Sequence, residues 1–237
     1  MNFIYLILFF FLLNSIKAQD LKSGKKFYKK FYKAHQGKIP EHFEFKQENE
    51  HYREDTLYGN SVWYEEIHYP KYFKIQFGSN NGNYVLFQND SSYRYDFGVL
   101  KEKKYAPNRL LFMVGGFAFY PYKESLEKVN SLGINLSLSY SIDWEGRKVR
   151  VLGAKPNDFT QNQWWIDEKN YRILRIIEEV SPKVMMRLDF KNYELIDKKF
   201  YIENEVWIYQ NEQLVQKEYY KDIKIIKNFN FTSKSKK

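Results

Sequence analysis

The sequence predicts an α+β protein that is mainly β. The expected architecture is a strongly curved antiparallel sheet of about ten to twelve strands. It should form a half-open barrel, covered by an N-terminal helix and a mid-chain helical lid. Three observations carry this. Most of the chain alternates polar and apolar residues, with turn residues between short runs. One basic amphipathic stretch precedes the alternation. One continuously apolar stretch, Ala106 to Gly133, interrupts it. A sheet with this many strands must curl or split, and two helical segments on one side favour an incompletely closed barrel.

The chain starts with an unbroken apolar run, Phe3 to Leu13, too short for a typical membrane-spanning helix. Ile16-Lys17-Ala18 then ends in a small residue. Residues 1–18 therefore read as a secretory signal cut before Gln19, with an uncleaved anchor as the alternative. Asp20 to His35 follows as a helix. Phe27, Phe31 and Ala34 fall at helical spacing beside Tyr28 and Tyr32, and lysines fill the rest. Gly37 and Pro40 stop it. Such a helix either lays its aromatic stripe on a sheet or docks on an anionic membrane.

Period-two alternation begins at His42, with Phe43 and Phe45 against Glu44 and Lys46. A second strand surrounds Trp63. Pro70 opens a third, with Phe73, Ile75 and Phe77 on one face. Asn80-Asn81-Gly82 is a hairpin signal. Tyr84 to Gln88 and Ser92 to Asp96 flank a turn at Asn89-Asp90, and the charged run Lys101 to Lys104 leads to the apolar insert. Within the insert, Leu110 to Val114 is wholly apolar, Gly115 and Gly116 follow, and Phe117 to Tyr120 end at Pro121. Leu126, Val129 and Leu132 then form one stripe of a short helix, Lys123 to Leu132. Such an insert either plugs a core or covers a cavity.

The alternation resumes at Leu136 and turns at Glu145-Gly146 into Val149 and Val151. After a polar loop, Ala154 to Gln161, come Trp164-Trp165-Ile166-Asp167 and Tyr171 to Glu179. Val184, Met186, Leu188 and Phe190 share a face. Phe200 to Tyr209 and Leu214 to Ile226 are the last strands. Residues 19–228 are expected to form one domain, and 229–237 a flexible basic tail.

The chain of 237 residues is long enough to bury a sizeable core. Its net charge of +9 comes from lysines scattered along strands and turns, which favours a solubility role over a nucleic-acid patch. A mean hydropathy of −0.66 excludes a multi-spanning helical membrane protein. There is no cysteine, hence no disulfide, thiol nucleophile or lipid-anchor cysteine. No phosphate-binding glycine loop, nucleophile elbow or zinc-helix motif is present. The four histidines (His35, His42, His51, His68) have no metal-site spacing. Asp167, or Asp143 with Glu145, could serve as acid/base carboxylates, but carboxylates at hairpin edges are commonplace. The residues point to a binding protein without cofactor or metal.

Several pieces resemble a known family. Tyr69-Pro70-x-x-Phe73-Lys74 resembles the strand-opening motif of bacterial lipoprotein-carrier (LolA/LolB-like) proteins. Gln163-Trp164-Trp165-Ile166-Asp167, with Arg175-Ile176-Ile177 and Leu188-Asp189-Phe190, resembles their C-terminal half. The order of signal, basic helix, strands, apolar insert and further strands also agrees, over nearly the whole mature chain. The resemblance implies a half-open barrel lidded by helices, holding the acyl chains of a lipid or lipidated protein without catalysis, in the periplasm. The secretion signal argues against a nucleic-acid partner; the expected partners are the cargo and transient envelope proteins, with the protein a monomer. The expected cavity and lid residues are Leu110, Leu111, Phe112, Met113, Phe117 and Phe119, facing Trp63, Phe73, Ile75, Phe87 and Met186, with Gly115 and Gly116 as the lid joint. Met113, Met185 and Met186 suit adaptable walls. One departure stands out: the carriers place an arginine before the strand-opening proline, where it helps hold the lid, and here that position is Tyr69. The alternatives are a non-transporting envelope protein that binds or senses a partner, and an envelope hydrolase using Asp167 or Asp143.

Overall fold

A computed structural model describes residues 21–79, 82–196 and 200–227. The expected signal, residues 1–18, Asn80-Asn81 of the expected hairpin turn and the expected tail, 229–237, lie outside the described residues. Helix α1 (Leu21–His35) is followed by β1 (His42–Arg53), β2 (Thr56–His68), β3 (Tyr72–Phe77), β4 (Tyr84–Gln88), β5 (Ser91–Asp96) and β6 (Val99–Tyr105). The insert forms α2 (Arg109–Val114), a 3-10 turn (Gly116–Phe119) and α3 (Tyr122–Ser131). Then come β7 (Asn135–Trp144), β8 (Arg147–Gly153), β9 (Gln163–Asp167), β10 (Ile173–Ser181), β11 (Val184–Ile196), β12 (Phe200–Gln210) and β13 (Gln213–Ile225).

All thirteen described strands join one antiparallel sheet in the order β6-β5-β4-β3-β2-β1-β13-β12-β11-β10-β9-β8-β7. The count slightly exceeds the expected range, because the fully exposed run Val99–Tyr105 still pairs with β5 as an edge strand. Two long-range facts organise the sheet. The first and last strands are neighbours, with Phe43 opposite Ile225 and Gln47 opposite Tyr220. The two outer edges, β6 and β7, are consecutive in sequence. The segment between them must therefore travel from one edge of the sheet to the other, and that segment is the apolar insert.

The main core lies between the helices and the sheet. Phe27, Tyr28, Phe31 and Tyr32 of α1 are buried, whereas Lys25, Lys26, Lys29, Lys30 and Lys33 are exposed. The aromatic stripe is thus committed to the sheet. Gly24 permits this approach, since a Cβ there would lie 2.2 Å from the Leu136 carbonyl oxygen. The insert is tied to α1 through hydroxyls. Tyr28 Oη and Ser125 Oγ are 2.6 Å apart, and Tyr32 Oη donates to the Tyr120 carbonyl at 2.8 Å. Asn108 caps α2 by accepting from the Leu111 N–H at 2.8 Å. A second small core of Val149, Val151, Trp165 and Leu174 sits apart from the main one. Arg175 there pairs with Asp189 (Nη2 to Oδ2, 2.9 Å) and lies over the Trp165 ring at 4.8 Å.

Candidate functional site: the cavity beneath α2

The alternation of β1, β2 and β3 turns Phe43, Phe45, Trp63, Ile67, Phe73 and Ile75 to one side of the sheet. β11 to β13 contribute Leu188, Phe190, Val206 and Ile208. Helix α2 lies above with Leu110, Leu111 and Val114. Together they line a cavity of about 160 Å³. The wall rings touch one another: Phe45 and Tyr220 have centroids 4.6 Å apart, and Phe43 is 6.0 Å from Tyr69. A second space of about 300 Å³, under the C-terminal end of α1, shares Val114, Phe190, Phe200 and Glu203 with the first.

The far side of the cavity is polar. Gln47 and Asn49 of β1 are 1% and 2% exposed, and Gln47 Nε2 donates to Asn49 Oδ1 at 2.6 Å. Glu218 on β13 accepts from Gln216 Nε2 and from Tyr220 Oη, both at 2.7 Å. Glu65 on β2 and Glu203 on β12 also line the space. Burial pushes Glu203 and Glu218 up to about 7. Glu65 is driven well above the ordinary carboxylate range by burial first and by the like charge of Glu218 second.

Tyr69 closes the lid side. It is buried, its ring stacks on Phe119 with centroids 5.1 Å apart, and its hydroxyl presses against Gly115. A Cβ at Gly115 would lie 2.5 Å from the Tyr69 hydroxyl oxygen. An aromatic ring packed on a glycine thus occupies the position before Pro70. Arg109, at the start of α2, ties the lid to β10 through Glu178 (3.1 Å) and donates to the Leu132 carbonyl at 3.1 Å.

The expected cavity residues divide. Leu110, Leu111, Trp63, Phe73 and Ile75 line the cavity. Phe112 and Phe87 line a separate groove of about 330 Å³ beside Tyr120. Met113 is buried in the main core, and Met186 packs against it. Phe117 is fully buried between α1 and β9, 4.6 Å from Phe31 and 5.9 Å from Trp164. Phe119 is taken up by Tyr69. Asp167, the catalytic alternative, uses Oδ1 to accept from the backbone N–H groups of Lys169 and Asn170, at 2.8 and 3.2 Å. Asp143 is exposed on β7. Among the described residues no group of three His, Asp or Glu is arranged to hold a metal ion. The inward glutamates escaped the sequence reading, although Trp63-x-Glu65-x-Ile67 places Glu65 on the apolar face by simple alternation.

This architecture can be set against solved structures. A domain named for outer membrane lipoprotein sorting, from Vibrio parahaemolyticus, superposes with a TM-score of 0.60 over 90% of this chain and 96% of its own, at 11% identity. The fold is the LolA-like fold. A LolA superfamily protein from Nitrosomonas europaea matches with a TM-score of 0.56 over 86% of this chain and 94% of its own, at 10% identity. A DUF1329 family protein from Desulfovibrio piger matches at 0.57 over 89% and 95%, at 11% identity. At these identities the likeness is one of fold. No family model and no curated protein matches the sequence. Within the LolA-like fold, the motif beginning at Tyr69 sits at the bend between β2 and β3, directly under the lid.

Proposed function

We propose that this protein is an exported, periplasmic carrier that holds the apolar part of a lipid or lipidated protein beneath α2, as a monomer and without catalysis. The observation that carries the reading is topological. The chain crosses from edge β6 to edge β7 through an apolar segment, and that segment roofs an apolar cavity. The likeness to a lipoprotein-sorting domain and the signal-like N-terminal run support it. The walls are rings and aliphatic chains, which hold acyl chains by non-directional contact and let them leave. Size sets the mechanism. The cavity of about 160 Å³ is near the roughly 150 Å³ of an engineered cavity that takes benzene, and below the roughly 300–1,000 Å³ typical of ligand pockets. As it stands it fits one short chain, so larger cargo requires α2 to lift toward the adjoining space.

Protein purified from its own envelope should carry lipid in native mass spectrometry, and the emptied protein should take up a fluorescent acyl probe. Val114→Trp, which fills the cavity from the lid, should abolish uptake without unfolding the protein. A lipid-free mass with no probe uptake would sink the reading. The small size of the cavity favours a second reading, a non-transporting envelope protein on the same scaffold. A single stoichiometric protein partner captured without lipid would support that one.

A further inference from the structure

A cavity meant only for hydrocarbon needs no charge inside, because a buried carboxylate is costly unless paired. This one has three glutamates. Glu65 is 7% exposed, faces the cavity, and makes no hydrogen bond or ion pair among the described residues. Glu218 lies across β1 from it, anchored by Gln216 and Tyr220. Glu203 is on the neighbouring β12, close enough for Glu218 to act on it. The titratable groups lining the space are these three with Tyr69 and Tyr220, and no Lys, Arg or His lines it. Phe45, Trp63 and Tyr220 line the same space as the carboxylates, and aromatic ring faces attract cations. The set does not read as a metal site, since no three acidic or histidine groups among the described residues are so arranged.

We propose that the cavity selects amphiphiles with a primary amine, seating the ammonium among Glu65, Glu203 and Glu218 and the apolar chain toward α2. This rests on the reading of the cavity as a ligand site. The chemistry fits at each point. An ammonium offers three donors to acceptors that lack a basic partner, charge-assisted bonds are the strong kind, and the apolar walls take the chain. An anionic head group would make ionising these carboxyls costlier still, and a hydroxyl would bring them no counter-charge.

The test uses the full chain, at pH 8 and below the concentration at which the amphiphiles aggregate. Dodecylamine, dodecanol and dodecanoate compete against a bound fluorescent acyl probe. Dodecylamine should bind at least about 10-fold more tightly than dodecanol, the equivalent of one charge-assisted contact, and dodecanoate should bind weakest. Glu65→Gln should bring the amine to within about threefold of the alcohol, both measured on the same variant. Glu203→Gln is the second variant should the first fold poorly. Alcohol or carboxylate binding as tightly as amine in the wild type overturns this inference and leaves the cavity reading standing. Retention of the amine preference in both variants also overturns it. Failure of all three to displace the probe overturns the cavity reading itself.

Discussion

The two halves of the concave face are built from the same kinds of residue and end in different states. Around Trp164, the rings of Tyr28, Phe31 and Phe117 interlock with centroids 4.6 to 6.1 Å apart, and all four residues are fully buried. Beneath α2, Trp63, Phe73 and Ile75 are only half-buried and face a cavity with three glutamates. Aromatic content therefore decides neither outcome. What differs is the cover. α1 has 15 residues, about 22 Å at 1.5 Å per residue, and Gly24 lets it come down onto β7. α2 has 6 residues, about 9 Å, and can cover far less of the sheet. A long, closely docked helix fills one half, while a short one leaves the other hollow.

The largest expected effect breaks the filled half. Phe31→Ala removes a fully buried ring between Phe117 and Trp164 and should cost about 3–5 kcal/mol. Val114→Ala trims a side chain that already borders empty space, so it should cost less than about 1.5 kcal/mol. Urea unfolding of the two variants measures the contrast. Similar losses would mean that the two halves are equally packed.

Next in size is Gly115→Ala. The glycine's φ of −178° is extended and open to any residue. The obstacle is the Tyr69 ring, which the new Cβ would strike. Overpacking of this kind costs about 1–3 kcal/mol. Hydrogen exchange should quicken in α2 and residues 116–119 while α1 keeps its protection. Uniform quickening along the chain would show that lid and filled half open together.

The strands and the exceptional insert were legible in the sequence, but the division into a filled and a hollow half was not, because it depends on long-range docking. Phe43/Phe45 and Phe73/Ile75 announced their shared face by alternation. The apolar insert marked itself as the exceptional segment, and its topology as the link between the two edges explains why. The roles inside it were harder to read. Phe117 looks no different from Leu110 in the sequence, yet α1, about 85 residues earlier, descends on one and not the other. Gly115-Gly116 reads as a joint; the steric need for Gly115 comes from Tyr69, far back in the chain. The neighbouring of β1 and β13, which brings Glu65 and Glu218 to one cavity, leaves no local trace at all.

The smallest expected effect tests the glutamates through pH. In the folded protein Glu203 and Glu218 hold their protons up to about 7, against 4.5 for an ordinary glutamate. Between those values the unfolded chain has already lost protons that the folded one keeps. Unfolded protein therefore binds fewer protons, and stability falls as pH rises. The favourable contribution is complete below about 4.5 and gone above about 7. Glu218→Gln removes one such group and one like charge acting on Glu65 and Glu203. It also weakens the bonds from Gln216 and Tyr220, a loss of about 1 kcal/mol that does not vary with pH. Burial depresses His35, so its own contribution rises with pH, but it is common to both proteins and cancels in their difference. The variant should gain on the wild type by up to about 2.5 kcal/mol between pH 5 and pH 8, the limit set by the shift of Glu218. Urea midpoints at both pH values read the gain directly. A difference that stays flat would mean that the hollow half carries no charge penalty, and that its glutamates differ little from those on the surface.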